Sequence, residues 1–92
     1  MYGGSKYLGP SFPAIIGSGP NGAIVHYRPA KEDCRTVKSL DECILIDTGA
    51  HYLNGTTDTT RTLVFSDKPA NGDIIKEMYT RVLLGNLDLQ RC

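Results

Sequence analysis

The stretch Glu42 to Phe65, ECILIDTGAHYLNGTTDTTRTLVF, decides how this chain folds. Its first part, Glu42 to Thr48, is a β-branched run that ends in an acid, and its last part, Thr56 to Phe65, is again rich in strand formers. With GAHYLNG between them, the two runs are expected to form an antiparallel pair. Each run holds one acid, Asp47 and Asp58, where strand composition is depleted of Asp. If the hairpin is centred between Tyr52 and Leu53, the two carboxylates stand directly opposite, roughly 5 Å apart at Cβ. Like charges so placed repel, so either a cation sits between them or one stays protonated. Hard oxygen donors at this spacing suit Mg, Mn or a two-metal site about 3.5–4 Å wide. The competing reading makes one or both carboxylates caps of the connecting turn, where Asp and Asn are common. Thr56, Thr57, Thr59, Thr60 and Thr62 carry the same two readings, strand formers or hydroxyls that orient carboxylates.

Outward from this hairpin the elements are short. Residues 1–13 read as an entry segment, poorly ordered by themselves, so the folded part is expected to start near Ala14. Ala14-Ile15-Ile16 and Ala23-Ile24-Val25 are expected as two short strands around GSGPNG, Gly17 to Gly22. Those glycines lead into an apolar run rather than into Lys and Ser/Thr at a helix start, so they form a turn and not a phosphate loop. From Tyr27 to Leu40 the chain turns polar, with Pro29 and the charges Arg28, Lys31, Glu32, Asp33, Arg35 and Lys38, a solvated connection open to insertion. After SDKP the period changes. Ile75, Met78, Val82, Gly85 and Leu89 step by three and four as an amphipathic helix does, with Glu77 and Arg81 paired on its outer side. Asn71 or Asp73 caps this helix after Pro69, and no stop signal precedes Cys92.

Composition narrows the class. Ninety-two residues with ten Lys/Arg against ten Asp/Glu carry no net charge and make at most one domain. Charge so balanced lacks the basic stripe on which nucleic acid or an anionic membrane releases counterions. The longest apolar run is Cys43 to Ile46, far short of the roughly 20 residues that span a bilayer. The first thirty residues show no secretory leader, and a cytoplasmic location is expected. Cys34, Cys43 and Cys92 match neither a disulfide framework nor a structural zinc site and read as reduced thiols. Asn54-Gly55-Thr56 is a formal glycosylation acceptor without a secretory context. A chain this size buries only about 60–65% of its unfolded surface, enough for a thin core that needs a partner. His26 ends the run AIVH, by default a structural or surface residue, and His51 in the hairpin connection reads as solvated.

Taken together, GPSFPAIIGSGPNGAIVHYRP, LDECILIDTGAHYLNGTTDTTRTLVF and YTRVLLGN resemble the Xaa-Pro aminopeptidase (aminopeptidase P) family over about Gly9 to Asn86. GTTDTTRT and the spacing of Asp47 and Asp58 also resemble the wider creatinase, prolidase and methionine aminopeptidase group, and SGPNGAIVHY favours aminopeptidase P within it. The resemblance implies an α/β (α+β) pita-bread catalytic domain, of which residues 14–92 are a part: antiparallel strands followed by one C-terminal helix. It implies that Asp47 and the bridging Asp58 are the first two ligands of a dinuclear centre, usually manganese. His26 matches a residue that holds substrate near the scissile bond, while Thr60 and Arg61 fall in the signature without an assigned role. The implied reaction removes an N-terminal residue preceding proline through a metal-bound hydroxide. The family takes its remaining ligands, one His and two Glu, from a region C-terminal to this helix, so this chain alone is expected to be inactive. The implied partners are peptides with proline second and, for the full-length protein, a second copy. The alternatives are a non-catalytic pita-bread binding module, another superfamily member such as a prolidase, or a small self-sufficient interaction protein.

Overall fold

The computed structural model describes residues 6–32, 34–37 and 39–92; residues 1–5 of the expected entry segment, and Asp33 and Lys38 of the expected connection, lie outside them. Among the described residues six strands are formed, β1 Tyr7–Pro10, β2 Ile15–Ser18, β3 Ile44–Thr48, β4 Ala50–Tyr52, β5 Gly55–Thr56 and β6 Thr59–Leu63, followed by one α-helix, α1 Gly72–Gln90. They make two antiparallel sheets, ordered β1-β4-β5 and β2-β3-β6. The fold is thus mixed α and β, with antiparallel strands ahead of a C-terminal helix, as the sequence pattern predicts.

Both sheets share the long hairpin, which bends where β3 passes into β4 at Gly49 and where β5 passes into β6 at Thr57-Asp58. At the bend Ser11 is the clamp. Its N–H donates to the Gly49 carbonyl at 3.1 Å and its hydroxyl to the Thr57 carbonyl at 3.0 Å. A Cβ at Gly49 would overlap both the Ser11 hydroxyl and the Thr57 carbonyl oxygen, so only glycine lets three strands close together here.

Three expectations are corrected. The folded part does not begin at Ala14: β1 lies within the expected entry segment and pairs Gly9 with His51 and Pro10 with Ala50. Its Tyr7 ring meets that of Tyr52 with centroids 5.7 Å apart, a contact that orders this arm through apolar burial. Ala23-Ile24-Val25 does not form a strand. Gly19–Ala23 is a 3-10 helix, favoured by Pro20 with its fixed φ and missing donor, and His26 with φ 55° then turns the chain away before a strand can extend. The Tyr27–Leu40 connection is not wholly solvated. Arg35 forms a bidentate pair with Glu42, its second nitrogen–oxygen distance being 2.6 Å, and the two side chains are only 32% and 25% exposed. The hydrogen bond to Glu42 raises the Arg35 pKa above its ordinary value, against partial desolvation that lowers it. This clamp was not legible because both charges look like ordinary surface residues.

Among the described residues the buried apolar side chains are Ile15, Ile44 and Ala50, all in the sheets, and Ser18, paired with Ile44, is buried as well. Helix α1 carries the expected Glu77–Arg81 bridge at 2.8 Å, and Asn71 stands at its N-cap position without a side-chain cap bond. No residue of α1 is buried. Ile74, Met78, Val82 and Leu83 face Thr60 and Thr62 across a cleft of about 790 Å³ instead of packing on the sheet. The chain exposes 7613 Å², where a compact monomer of its mass exposes about 5,200 Å². Its radius of gyration, 15.8 Å, likewise exceeds the roughly 12 Å of a compact domain of this length. Cys34, Cys43 and Cys92 are all free.

Candidate metal centre

Asp47 stands on β3, the central strand of its sheet, paired with Ile15 of β2 on one side and Thr60 of β6 on the other. It is half-buried, and its Oδ1 is fully withdrawn from solvent with no hydrogen-bond partner among the described residues. A buried, unpaired carboxylate oxygen costs free energy unless something else ligates it. Among the described residues that is the one orphaned buried side-chain oxygen or nitrogen.

Asp58 is not opposite Asp47, and it is not inside a strand. The closing pair of the hairpin is Tyr52 with Gly55, so Leu53 and Asn54 make the turn, and Asp47 faces Thr60. The physical reason lies in Tyr52: the expected centre would place it in the turn, whereas its ring is committed to Tyr7 and the 70% exposed Leu53 goes to the tip instead. Thr48 pairs with Thr59, and the Thr57 N–H donates to the Ala50 carbonyl at 2.8 Å, so the register sets Asp58 against Gly49. The register is displaced by two positions from the expected one. Asp47 and Asp58 are therefore offset along the hairpin, Asp47 on the ladder and Asp58 at the bend beyond its last pair, Thr48 with Thr59. Asp58 is exposed where Asp47 is half-buried.

The Thr56 and Thr57 hydroxyls do not orient these carboxylates. Thr57 Oγ1 accepts the Ala50 N–H at 3.0 Å and Thr56 Oγ1 lies 3.0 Å from His51 Nδ1, so both serve the hairpin itself. His51 is exposed, as expected, but it stands on strand β4 rather than in a connection, and its side chain bonds Thr56 across the ladder. His26 lies at an exposed turn after the 3-10 helix rather than at a strand end. Among the described residues no three His, Cys, Asp or Glu side chains gather as a metal site, so His26 and His51 do not join the two acids. The donor chemistry fits one hard-cation edge, an orphaned carboxylate with a second one near it, but two acids do not close a coordination shell.

Comparison with known proteins gives this geometry a context. The model of metallopeptidase family M24 matches residues 1–91, the entry strand included. Over 82 residues, 89% of this chain, it is 51% identical to the Xaa-Pro aminopeptidase ApepP of Drosophila melanogaster. It is 52% identical over 83 residues to Xaa-Pro aminopeptidase 2 of Rattus norvegicus and 46% over 85 residues to aminopeptidase P2 of Arabidopsis thaliana, 90% and 92% of the chain. The chain spans only 13%, 12% and 11% of the lengths of these three relatives. A match over nearly every residue, with both acids of the bent hairpin inside it, shows that this chain belongs to metallopeptidase family M24.

Proposed function

We propose that this chain is a segment of the catalytic domain of an Xaa-Pro aminopeptidase, contributing Asp47 and Asp58 as ligands of a dinuclear manganese centre and His26 as a substrate-binding residue. The observation that carries the reading is the buried Asp47 oxygen left without a partner at the hairpin bend. The similarity to Xaa-Pro aminopeptidases supplies the reaction class. When bound, two divalent cations lower the pKa of water and polarise a carbonyl. The chain's own part is to hold the two carboxylates at fixed spacing: β3 locks Asp47 between two strands, and Gly49 lets the Thr57-Asp58 segment close against it. The other ligands, one His and two Glu, come from elsewhere in the full-length protein.

The test is hydrolysis of a peptide with proline second, beside its alanine counterpart, by the full-length protein. Cleavage restricted to the proline peptide, lost on chelation and restored best by manganese, is the expected result. Chelator-resistant cleavage, or equal rates on both peptides, would refute it. The 92-residue chain alone is expected to cleave neither, because its ligand set is incomplete.

The excess exposed surface and the unburied helix favour association. The isolated chain is expected to sediment above its 10.0 kDa monomer mass at micromolar concentration, and a monomer there would count against this. The same measurement on the full-length protein tests its proposed homodimer. Three free thiols suit a reducing compartment, so we place the protein in the cytoplasm, a location that subcellular fractionation checks. No helix of the described residues is long and apolar enough to cross a membrane.

A further inference from the structure

Glycines aside, His26 is the described residue with a positive φ, 55°. That left-handed conformation is sparsely populated by residues with side chains, although His tolerates it better than most. Such a conformation persists only where the surroundings over-determine it. Here the determinants are visible on both sides of the residue. Before His26, the Asn21 carbonyl accepts the Ile24 N–H at 3.2 Å. After it, the Asn21 side-chain amide donates to the Tyr27 hydroxyl at 3.1 Å. Asn21 is itself anchored. The 3-10 helix that holds it is tied to the approach to β3 by the Gly19 N–H bond to the Cys43 carbonyl at 2.9 Å. It also sits flush on Gly17, where a Cβ would come within 2.8 Å of the Asn21 carbonyl oxygen. Asn21 and Tyr27 are half-buried, while His26 is exposed.

We infer that Asn21 and Tyr27 are positioning residues which clamp the turn around His26 and so present its imidazole to the bound peptide. The clamp fixes backbone that would otherwise relax to a negative φ and carry the ring elsewhere. This rests on the proposed substrate-binding role of His26, and the two can fail separately.

The experiment compares steady-state kinetics of the full-length protein on a proline-second peptide for Asn21→Ala, Tyr27→Phe and His26→Ala, and for each clamp variant combined with His26→Ala. Tyr27→Phe removes one hydroxyl and keeps the ring, and its thermal midpoint is read alongside to separate positioning from unfolding. Losing one such hydrogen bond is expected to lower kcat/KM about fivefold, chiefly through KM. In the His26→Ala background the same changes should have no further effect, since their benefit passes through the imidazole. Losses of equal size in that background would show a general structural role and overturn the clamp. A loss at His26 with wild-type rates in both clamp variants would overturn the clamp alone. An unchanged His26→Ala would overturn the role of His26 and the clamp with it.

Discussion

Asp47→Ala and Asp58→Ala are each expected to abolish proline-specific cleavage by the full-length protein while leaving it folded. Electrostatic stabilisation by a catalytic metal is worth several kcal/mol, and about 4 kcal/mol corresponds to roughly a 10³-fold loss in rate. The two variants should differ in stability. Asp47 holds a buried oxygen with no partner, so its removal in metal-free protein relieves a desolvation cost of about 1–3 kcal/mol. Asp58 is exposed, and its removal should leave metal-free stability within about 0.5 kcal/mol. Peptide hydrolysis paired with chemical unfolding in chelator checks both halves. Turnover near wild-type in either variant would sink the ligand assignment. A clear drop in the metal-free stability of Asp47→Ala would show that its carboxylate serves the fold instead.

Gly49→Ala is expected to be the most damaging small substitution in the hairpin. Its Cβ would overlap the Ser11 hydroxyl and the Thr57 carbonyl oxygen and come within 2.8 Å of the Phe12 ring. The serine can rotate, but the Thr57 carbonyl is backbone and yields only if the hairpin opens next to Asp58. Overpacking of this kind costs about 1–3 kcal/mol, and displacement of Asp58, a proposed ligand, should weaken divalent-cation binding as well. Gly55→Ala is the control, because a Cβ there meets nothing within 4 Å and its φ is not positive. Urea unfolding of the full-length protein should show a lowered midpoint for Gly49→Ala and an unchanged one for Gly55→Ala. Equal midpoints would refute the close-approach argument.

The hairpin was legible because its signals are local: β-branched runs on both sides of a turn-forming segment, each interrupted by an acid that a strand tolerates poorly. Its register was not. That depended on Tyr52 meeting Tyr7, a residue far away in the chain and inside a segment read as mere entry. The displacement by two positions puts Thr60 opposite Asp47, so the directly opposed geometry of the two acids is lost. Ala23-Ile24-Val25 failed for the complementary reason. Its apolar residues satisfy strand propensity, but β2 already pairs with β3, and the proline-led turn and His26 divert the chain.

By itself the sequence determined the antiparallel hairpin, the terminal helix with its Glu77–Arg81 bridge, and the two acids that single out the bend. These follow from period, propensity and residue chemistry within a few positions of each other. Only the tertiary structure decided that Asp47 is the acid left with a buried, unpartnered oxygen, that Asp58 sits against Gly49, and that Asn21 brackets His26. Burial and close approach are properties of strands brought together from distant parts of the chain, and no local pattern of residues encodes the distance between them.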